Sequence, residues 1–411
     1  MKDRFKKILS NVTDQRTLYT WEQQIHNKSN RIEKSKDVWK YTLNQFKNAI
    51  SQKLIIHDKV IREWSLKRVR EIEFTSFVSS PTWIKKFKSY NKICSRKITK
   101  FVTQSFIQDE DTIIANSIEF VDSCIALFPN YSQSHIFNTD QSGFKYELHS
   151  GRTLSFQGTK CAEAVSQSIH SMTHSYTIQP IITLEGKLLS PLFICLQETH
   201  GKFDPNVKNS LISTPNVIVT CSQSGLMTKE LVKQWFKDSL LPSVSEKFVL
   251  LLDSWKGQTD IDLYTQLLPN QIKCKVQIIP PKCTSLNQPL DAYFFRQWKI
   301  FVRFIGDKII IDNLDVNIKD RNNIIKMHSL IQNQLSSPKF HKMIQYAWYK
   351  CGYLSEHPGK FQNFKEICFN SALTKCYLCE IFGFIICSCC KKSMCLTHFF
   401  INYHFCNELI E

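Results

Sequence analysis

The alternation of apolar and polar positions divides the chain into a helical beginning and a strand-rich middle. In DKVIREWSLKRVREI, Val60, Ile61, Trp64, Leu66 and Val69 recur at roughly helical spacing with basic residues between them, and Asp58 is placed to cap the segment. A second helix is expected from SSPTWIKKFKSYN, where Ser and Pro precede an apolar run. Trp83, Ile84 and Phe87 then share one face, and Lys85, Lys86 and Lys88 point to solvent. Residues 1–104 lack glycine and contain Pro81 as their only proline, which suits a helical region. DTIIANSIEFVDSCIALF has weaker helical character. From about 134 the pattern changes to short β-rich runs: HIFNTDQSGF, SGRTLSF and SYTIQPIITLEGKLLSPLFICLQ, the last folded at Glu185-Gly186 into a hairpin. TKELVKQWFKDSLLPSV reads as a helix, KFVLLLDSW as a buried strand and KVQIIPP as a further strand. Runs of strands followed by mixed strands and helices predict an α/β or α+β domain around one sheet.

Three aspartates occupy informative places in this pattern. Asp140 follows the run HIF and Asp253 follows FVLLL, and a strand that ends in a carboxylate presents it at one edge of a sheet. Asp291 comes 38 residues after Asp253, behind a proline-rich turn. Three carboxylates meeting at one spot repel, so such a cluster persists by holding hard cations, Mg²⁺ or Mn²⁺. Two such ions can activate a water or hydroxyl and stabilise the leaving oxygen of a phosphodiester. Two of them also have a plainer reading: Asp253 as a strand-end turn residue, Asp291 as a helix N-cap.

Composition narrows the setting. A chain of 411 residues holds two or three domains. No uninterrupted apolar run reaches the roughly 18 residues of a membrane span, and MKDRFKKILSNV has no secretory h-region, so we expect an intracellular protein with no membrane partner. The net charge of +17 is unevenly spread: residues 1–104 carry 24 Lys and Arg against 9 Asp and Glu, the remainder 29 against 27. A basic, helical beginning is the electrostatic footprint of a polyanion partner, and short helices with an aromatic core and basic exterior suit a helix-turn-helix. Lys85, Lys86, Lys88, Arg96, Lys97 and Lys100 are the candidate DNA contacts. Of sixteen cysteines, seven fall within 376–406. There Cys376 and Cys379, Cys387 and Cys390, Cys395 and His398, and His404 and Cys406 make four close pairs, enough for two closed tetrahedral zinc sites. Spacing leaves their pairing open, with Cys389 an alternative to a neighbour. So short a stretch needs its metal to fold.

These motifs together resemble a transposase of the pogo/jerky kind, in its Tc-five-like branch. The resemblance rests on NTDQSGF at 138–144, HSGRTLSFQGTK at 149–160, LLDSWKGQTD at 251–260 and PPKCTSLNQPLDAYFFRQWK at 280–299. SPTWIKKFKSYNKICSRKITKFVT at 80–103 is similar to the second helix-turn-helix of the centromere-protein-B type, and the tail from Lys375 to the family's C-terminal metal-binding region. LYTWEQQI at 18–25 is similar to the end of a first such module, whose earlier helices have too few residues upstream. The resemblance implies a multi-domain chain: a helical remnant and linker at 1–50, a helix-turn-helix DNA-binding domain at 51–104, a linker at 105–133, a ribonuclease-H-like DDE/D catalytic domain at 134–350 and a zinc-binding domain at 374–411. It implies a catalytic triad of Asp140, Asp253 and Asp291, a DDD variant. Asp140 and Asp253 would share the two divalent ions and Asp291 would complete the ligand shell of the second ion, for cleavage and strand transfer of terminal-inverted-repeat DNA. Pairing two ends requires two active sites, so a homodimer is implied, working in the nucleus. Two positions depart from many relatives: Gln141 stands where an acidic residue often follows the first aspartate, and Ser254 where asparagine often follows the second. The rival readings are a domesticated or decayed copy that binds DNA without cutting, and a host nuclease on the same fold.

Overall fold

The computed structural model describes residues 15–52, 54–96, 110–146, 175–269, 271–369 and 374–408. The predicted strand SGRTLSF, the stretch 149–160, and Lys97 and Lys100 lie outside the described residues. The chain forms two compact units, Met1–Gln108 and Asp109–Glu411.

In the first unit α1 (Gln15–Ser51), α2 (Asp58–Glu71) and α3 (Pro81–Tyr90) enclose an aromatic core. Trp39 of α1 meets Trp83, Phe87 and Tyr90 of α3 edge-on at 5.6, 5.0 and 5.5 Å. This is the face expected from the apolar spacing, with Ile84 and Phe87 buried. The start of α3 is also as read: Ser80 accepts a hydrogen bond from the Trp83 amide at 3.2 Å and Pro81 occupies the first turn, where its missing N–H costs nothing. Asp58 does not cap α2. His57 holds the cap position, and Asp58, one residue inside, binds Lys88 Nζ at 2.7 Å. A further link, Ser65 Oγ to Ser79 Oγ at 2.7 Å, ties α2 to the entry of α3.

The second unit opens with α4 (Glu110–Leu127). Residues 111–130 are long and apolar enough to cross a bilayer by length and composition. Part of that apolar character is spent on packing. Ile113, Phe120, Val121 and Cys124 are buried, and the carbonyls of Ile113 and Ser117 accept from Cys283 Sγ (3.5 Å) and Asn287 Nδ2 (3.3 Å).

A mixed sheet follows. β1 (Ile136–Thr139) and β2 (Ser142–Lys145) pair antiparallel with β4 (Ile181–Thr183) and β3 (Ser175–Gln179) respectively. Both pairings keep one register, so β1–β2 and β3–β4 are two bent strands whose ladder is interrupted where Asp140 stands opposite Pro180. Proline has no N–H to give, which accounts for a break at that rung. β5 (Leu192–Gln197) pairs antiparallel with β3 and parallel with β6 (Val217–Ser222). On the other side β7 (Phe248–Leu252) runs parallel to β1, and β8 (Cys274–Ile278) parallel to β7. The order is β6, β5, β3/β4, β1/β2, β7, β8, a mixed α/β arrangement in keeping with the ribonuclease-H-like expectation.

Side-chain alternation sends Phe137, Cys195, Phe248, Leu250 and Leu252 to one face, where they pack against Val232 and Trp235 of α5 (Lys229–Trp235). The opposite face meets α6 (Phe295–Ile311) and α7 (Arg321–Leu335), with α8 (His341–Lys350) beyond. Three buried polar groups weld these layers together. Trp298 Nε1 of α6 donates to His328 Nδ1 of α7 at 3.0 Å, and His328 Nε2 lies 2.6 Å from the Tyr176 hydroxyl of β3. An indole can only donate, so Nδ1 is the acceptor and Nε2 carries the imidazole proton. The tail adds a small ribbon, β9 (Ile385–Ile386) with β10 (Ser393–Met394).

Candidate active site and metal centres

β1 and β7 are parallel neighbours with Asn138 opposite Leu251. Two residues further along each strand come Asp140 and Asp253, so the two carboxylates leave the sheet side by side. Asp140 is buried, 6% exposed. Asp253 begins the loop after β7 and organises it: its Oδ1 accepts from the Trp255 amide at 3.0 Å and from Gln258 Nε2. The turn-residue reading of Asp253 therefore holds as a local fact beside its place at the strand edge. Gly257 completes this loop, since a side chain there would collide with the Trp255 ring at about 2.1 Å. Gln141 joins the same loop, donating to Gln258 Oε1 at 3.4 Å. The departure at position 141 is thus built into a Gln141–Gln258–Asp253 chain.

Asp291 arrives from a third element. It sits in the wide first turn Leu290–Phe294, which runs into α6, and Pro289 holds the cap position. It is therefore inside the helix, and the N-cap reading does not apply. Burial first, and then repulsion from Asp291 and Asp253, holds the Asp140 carboxyl well above the usual carboxylate range. Asp291 is also raised, by burial and by Asp253, against the pull of Lys299. The three predicted positions thus form one interacting group.

Lys299, two turns along α6 from Asp291, escaped the sequence reading. Its ammonium lies 5.3 Å from the centre of the Phe144 ring and 6.0 Å from that of Phe295, and it feels the charges of both Asp291 and Asp140. Its place on the helix that the Asp291 turn leads into is the available signal. A set of oxygen donors that repel one another, with one ammonium beside them, fits hard divalent cations and no soft metal.

The tail resolves the pairing that spacing left open. Cys376, Cys379, Cys395 and His398 gather within 4.8 Å of one another, as do Cys387, Cys390, His404 and Cys406. First and third pairs make one set, second and fourth the other, so the two interleave along the chain. The observed edges are 3.8 Å for Cys379 to Cys395, 3.4 and 3.2 Å for His398 Nδ1 to Cys376 and Cys395, and 3.6 Å for Cys390 to His404 Nε2. A zinc tetrahedron has edges of about 3.8 Å between sulfurs and about 3.5 Å between sulfur and nitrogen. Both sets fit Zn²⁺ with no open position. Cys389 stands outside the second quartet, its thiol directed to the Asn333 carbonyl at 3.8 Å.

The quartet that includes Cys387 is fastened to α7. Ser388 N donates to Gln334 Oε1 at 2.7 Å, Gln334 Nε2 to Cys387 Sγ at 3.4 Å, and Asn333 exchanges bonds with Cys406 at 2.9 and 3.2 Å. Of the candidate DNA contacts, Lys85, Lys86 and Arg96 are exposed. Lys88 is half-buried in its ion pair with Asp58, a partner 30 residues away that periodicity does not reveal.

Residues 181–351 match the family model described as DDE superfamily endonuclease, a span that contains Asp253 and Asp291 and begins after Asp140. Residues 348–406 match the model described as Tc5 transposase C-terminal domain. Among solved structures, the Mos1 transposase paired-end complex with left transposon end is similar at 10% identity and a TM-score of 0.38, over 86% of this chain and 93% of that one. A pre-cleavage Mos1 transpososome is similar at 9% identity and 0.37, over 72% and 75%.

Proposed function

We propose that this chain, a DDE transposase of the pogo/Tc5 type, binds transposon-end DNA and cuts and joins DNA strands at Asp140, Asp253 and Asp291. The observation that carries the reading is the arrival of three carboxylates from β1, β7 and the α6 entry at one sheet edge, where their mutual repulsion calls for a cation. Asp140 and Asp253 would share the divalent ions and Asp291 would complete their ligands. When bound, two such ions activate the attacking oxygen and neutralise the leaving one in an in-line phosphoryl transfer. The protein's own contribution is positional and electrostatic. Gln258 and the Trp255 amide hold Asp253 in one orientation, and the Lys299 ammonium directs positive charge to the same edge, where a phosphodiester would sit.

Lys85, Lys86, Lys88 and Arg96, with Lys97 and Lys100, would contact DNA from the helical unit, and the tail would hold two structural zinc ions. A homodimer would supply the two active sites that paired ends require, with the work done in the nucleus. The test is Mg²⁺-dependent nicking of terminal-inverted-repeat DNA. Asp253→Asn should abolish cleavage and leave DNA binding intact, and raising salt should weaken binding steeply as phosphate counterions compete. Nicking by Asp253→Asn at the wild-type rate would remove the assignment. Binding without cleavage by the wild-type chain would make it a DNA-binding relic, and cleavage of scrambled ends as fast as matched ones a general nuclease.

A further inference from the structure

Between the three aspartates lies a pair of fully buried amides, Asn138 and Gln288, that touches all three of the elements carrying them. Asn138 Nδ2 donates to the Leu251 carbonyl at 3.3 Å, two residues before Asp253, and to Gln288 Oε1 at 2.5 Å. The Leu290 amide, next to Asp291, donates to Asn138 Oδ1 at 3.3 Å. Gln288 Nε2 donates to the Thr139 carbonyl at 3.1 Å, one residue before Asp140. Both amide groups thus have their donors and acceptors used, each by backbone or side chain within three residues of an aspartate.

We infer that Asn138 and Gln288 are positioning residues that hold Asp140, Asp253 and Asp291 in ion-binding register before any ion arrives. The inference rests on the reading that these aspartates hold divalent cations. Its physical basis is that three ionised carboxylates drive their elements apart, and something must hold the strands and the helix entry together against that push. Hydrophobic packing holds layers together but sets no register at the level of single atoms. A charged clamp would compete with the ion or bind it. Two neutral amides do neither: they bond in the same way at every working pH, and burial makes the loss of either partner costly for the other. Strand alternation contributes as well, because Asn138 and Asp140 are two residues apart and so share a face of β1.

The experiment measures Mn²⁺ affinity of the full-length, zinc-loaded chain from the electron paramagnetic resonance signal of free Mn²⁺, with nicking of terminal-repeat DNA in parallel. Gln288→Met, which keeps length and removes every hydrogen bond, should weaken Mn²⁺ binding at least tenfold while circular dichroism and zinc content stay at wild-type values. Asn138→Ser, too short to span Leu251, Gln288 and Leu290, should do the same, and decides alone if Gln288→Met does not fold. A folded variant with wild-type Mn²⁺ affinity overturns the inference, as does a wild-type chain that binds no Mn²⁺ at the aspartates, judged against Asp253→Asn. A wild-type chain that binds Mn²⁺ but cuts no DNA removes the transposase chemistry alone, and the amide pair is still judged by affinity.

Discussion

Acidification should destabilise the second unit through one imidazole. His328 has no exposed surface, and burial depresses its pKa to about 3 from an ordinary 6.5. In the unfolded chain it takes up a proton near pH 6.5, and in the folded chain it stays neutral down to about pH 3. The unfolded state therefore binds more protons between those limits, so stability falls as pH drops through 6.5 and is unaffected above it. Each pH unit in that window costs about 1.4 kcal/mol, or roughly 3 kcal/mol by pH 4.5. His328→Leu cannot titrate, but it leaves the Trp298 N–H and the Tyr176 hydroxyl oxygen without their shared partner, costing about 1–3 kcal/mol for each at pH 7. The assay is urea unfolding followed by tryptophan fluorescence, wild type against variant, at several pH values from 7.5 to 4.5. Other carboxylates and the zinc ligands titrate alike in both proteins, so the difference between them isolates His328. The wild type's advantage should shrink by about 3 kcal/mol over that range. A gap that stays constant would refute the reasoning.

Three more outcomes follow from the same geometry. Asp140 sits well above the ordinary carboxylate range, so above that raised pKa its ionised form weakens the fold. Asp140→Asn should therefore raise the melting temperature at pH 7.5 when Mg²⁺ is withheld, and should not gain the further rise that Mg²⁺ gives the wild type. Lys299→Met removes the ammonium beside Asp291 and Asp140, and should slow single-turnover nicking on the order of 10²-fold while terminal-repeat DNA remains bound. Chelating zinc should loosen α7 and the turn after it as well as the tail, at about 1 kcal/mol for each bond that Asn333, Gln334 and Lys339 make to Cys406 and Ser388. Hydrogen exchange at residues 329–335 would register it, and unchanged protection there would separate the tail from the helix.

Much of this molecule can be read along the chain because its signals are local. The start of α3 at Ser80-Pro81, the run FVLLL as a buried strand, and the four close pairs of cysteine and histidine all depend on residues within a turn or two of one another. Periodicity and spacing report such features because backbone geometry repeats over that range. The same short range explains the errors and gaps. Asp58 stands where a cap is expected, yet its carboxylate serves Lys88 across the unit, and nothing local marks Lys299, which only the packing of α6 sets beside Asp140. By itself the sequence determined which side chains carry acid, base and thiol, and which segments become strands and helices. Only the tertiary structure decided that the zinc ligands interleave, that Asp140 faces Pro180 at a break in the ladder, and that Asn138 and Gln288 lie between the aspartates. Those relations join residues some twenty positions apart in the tail, forty apart at the break in the ladder and 150 apart in the amide pair, and no periodicity encodes them. They follow from strand register and layer packing, where burial of Phe137, Trp235 and Trp298 selects one arrangement of the whole chain.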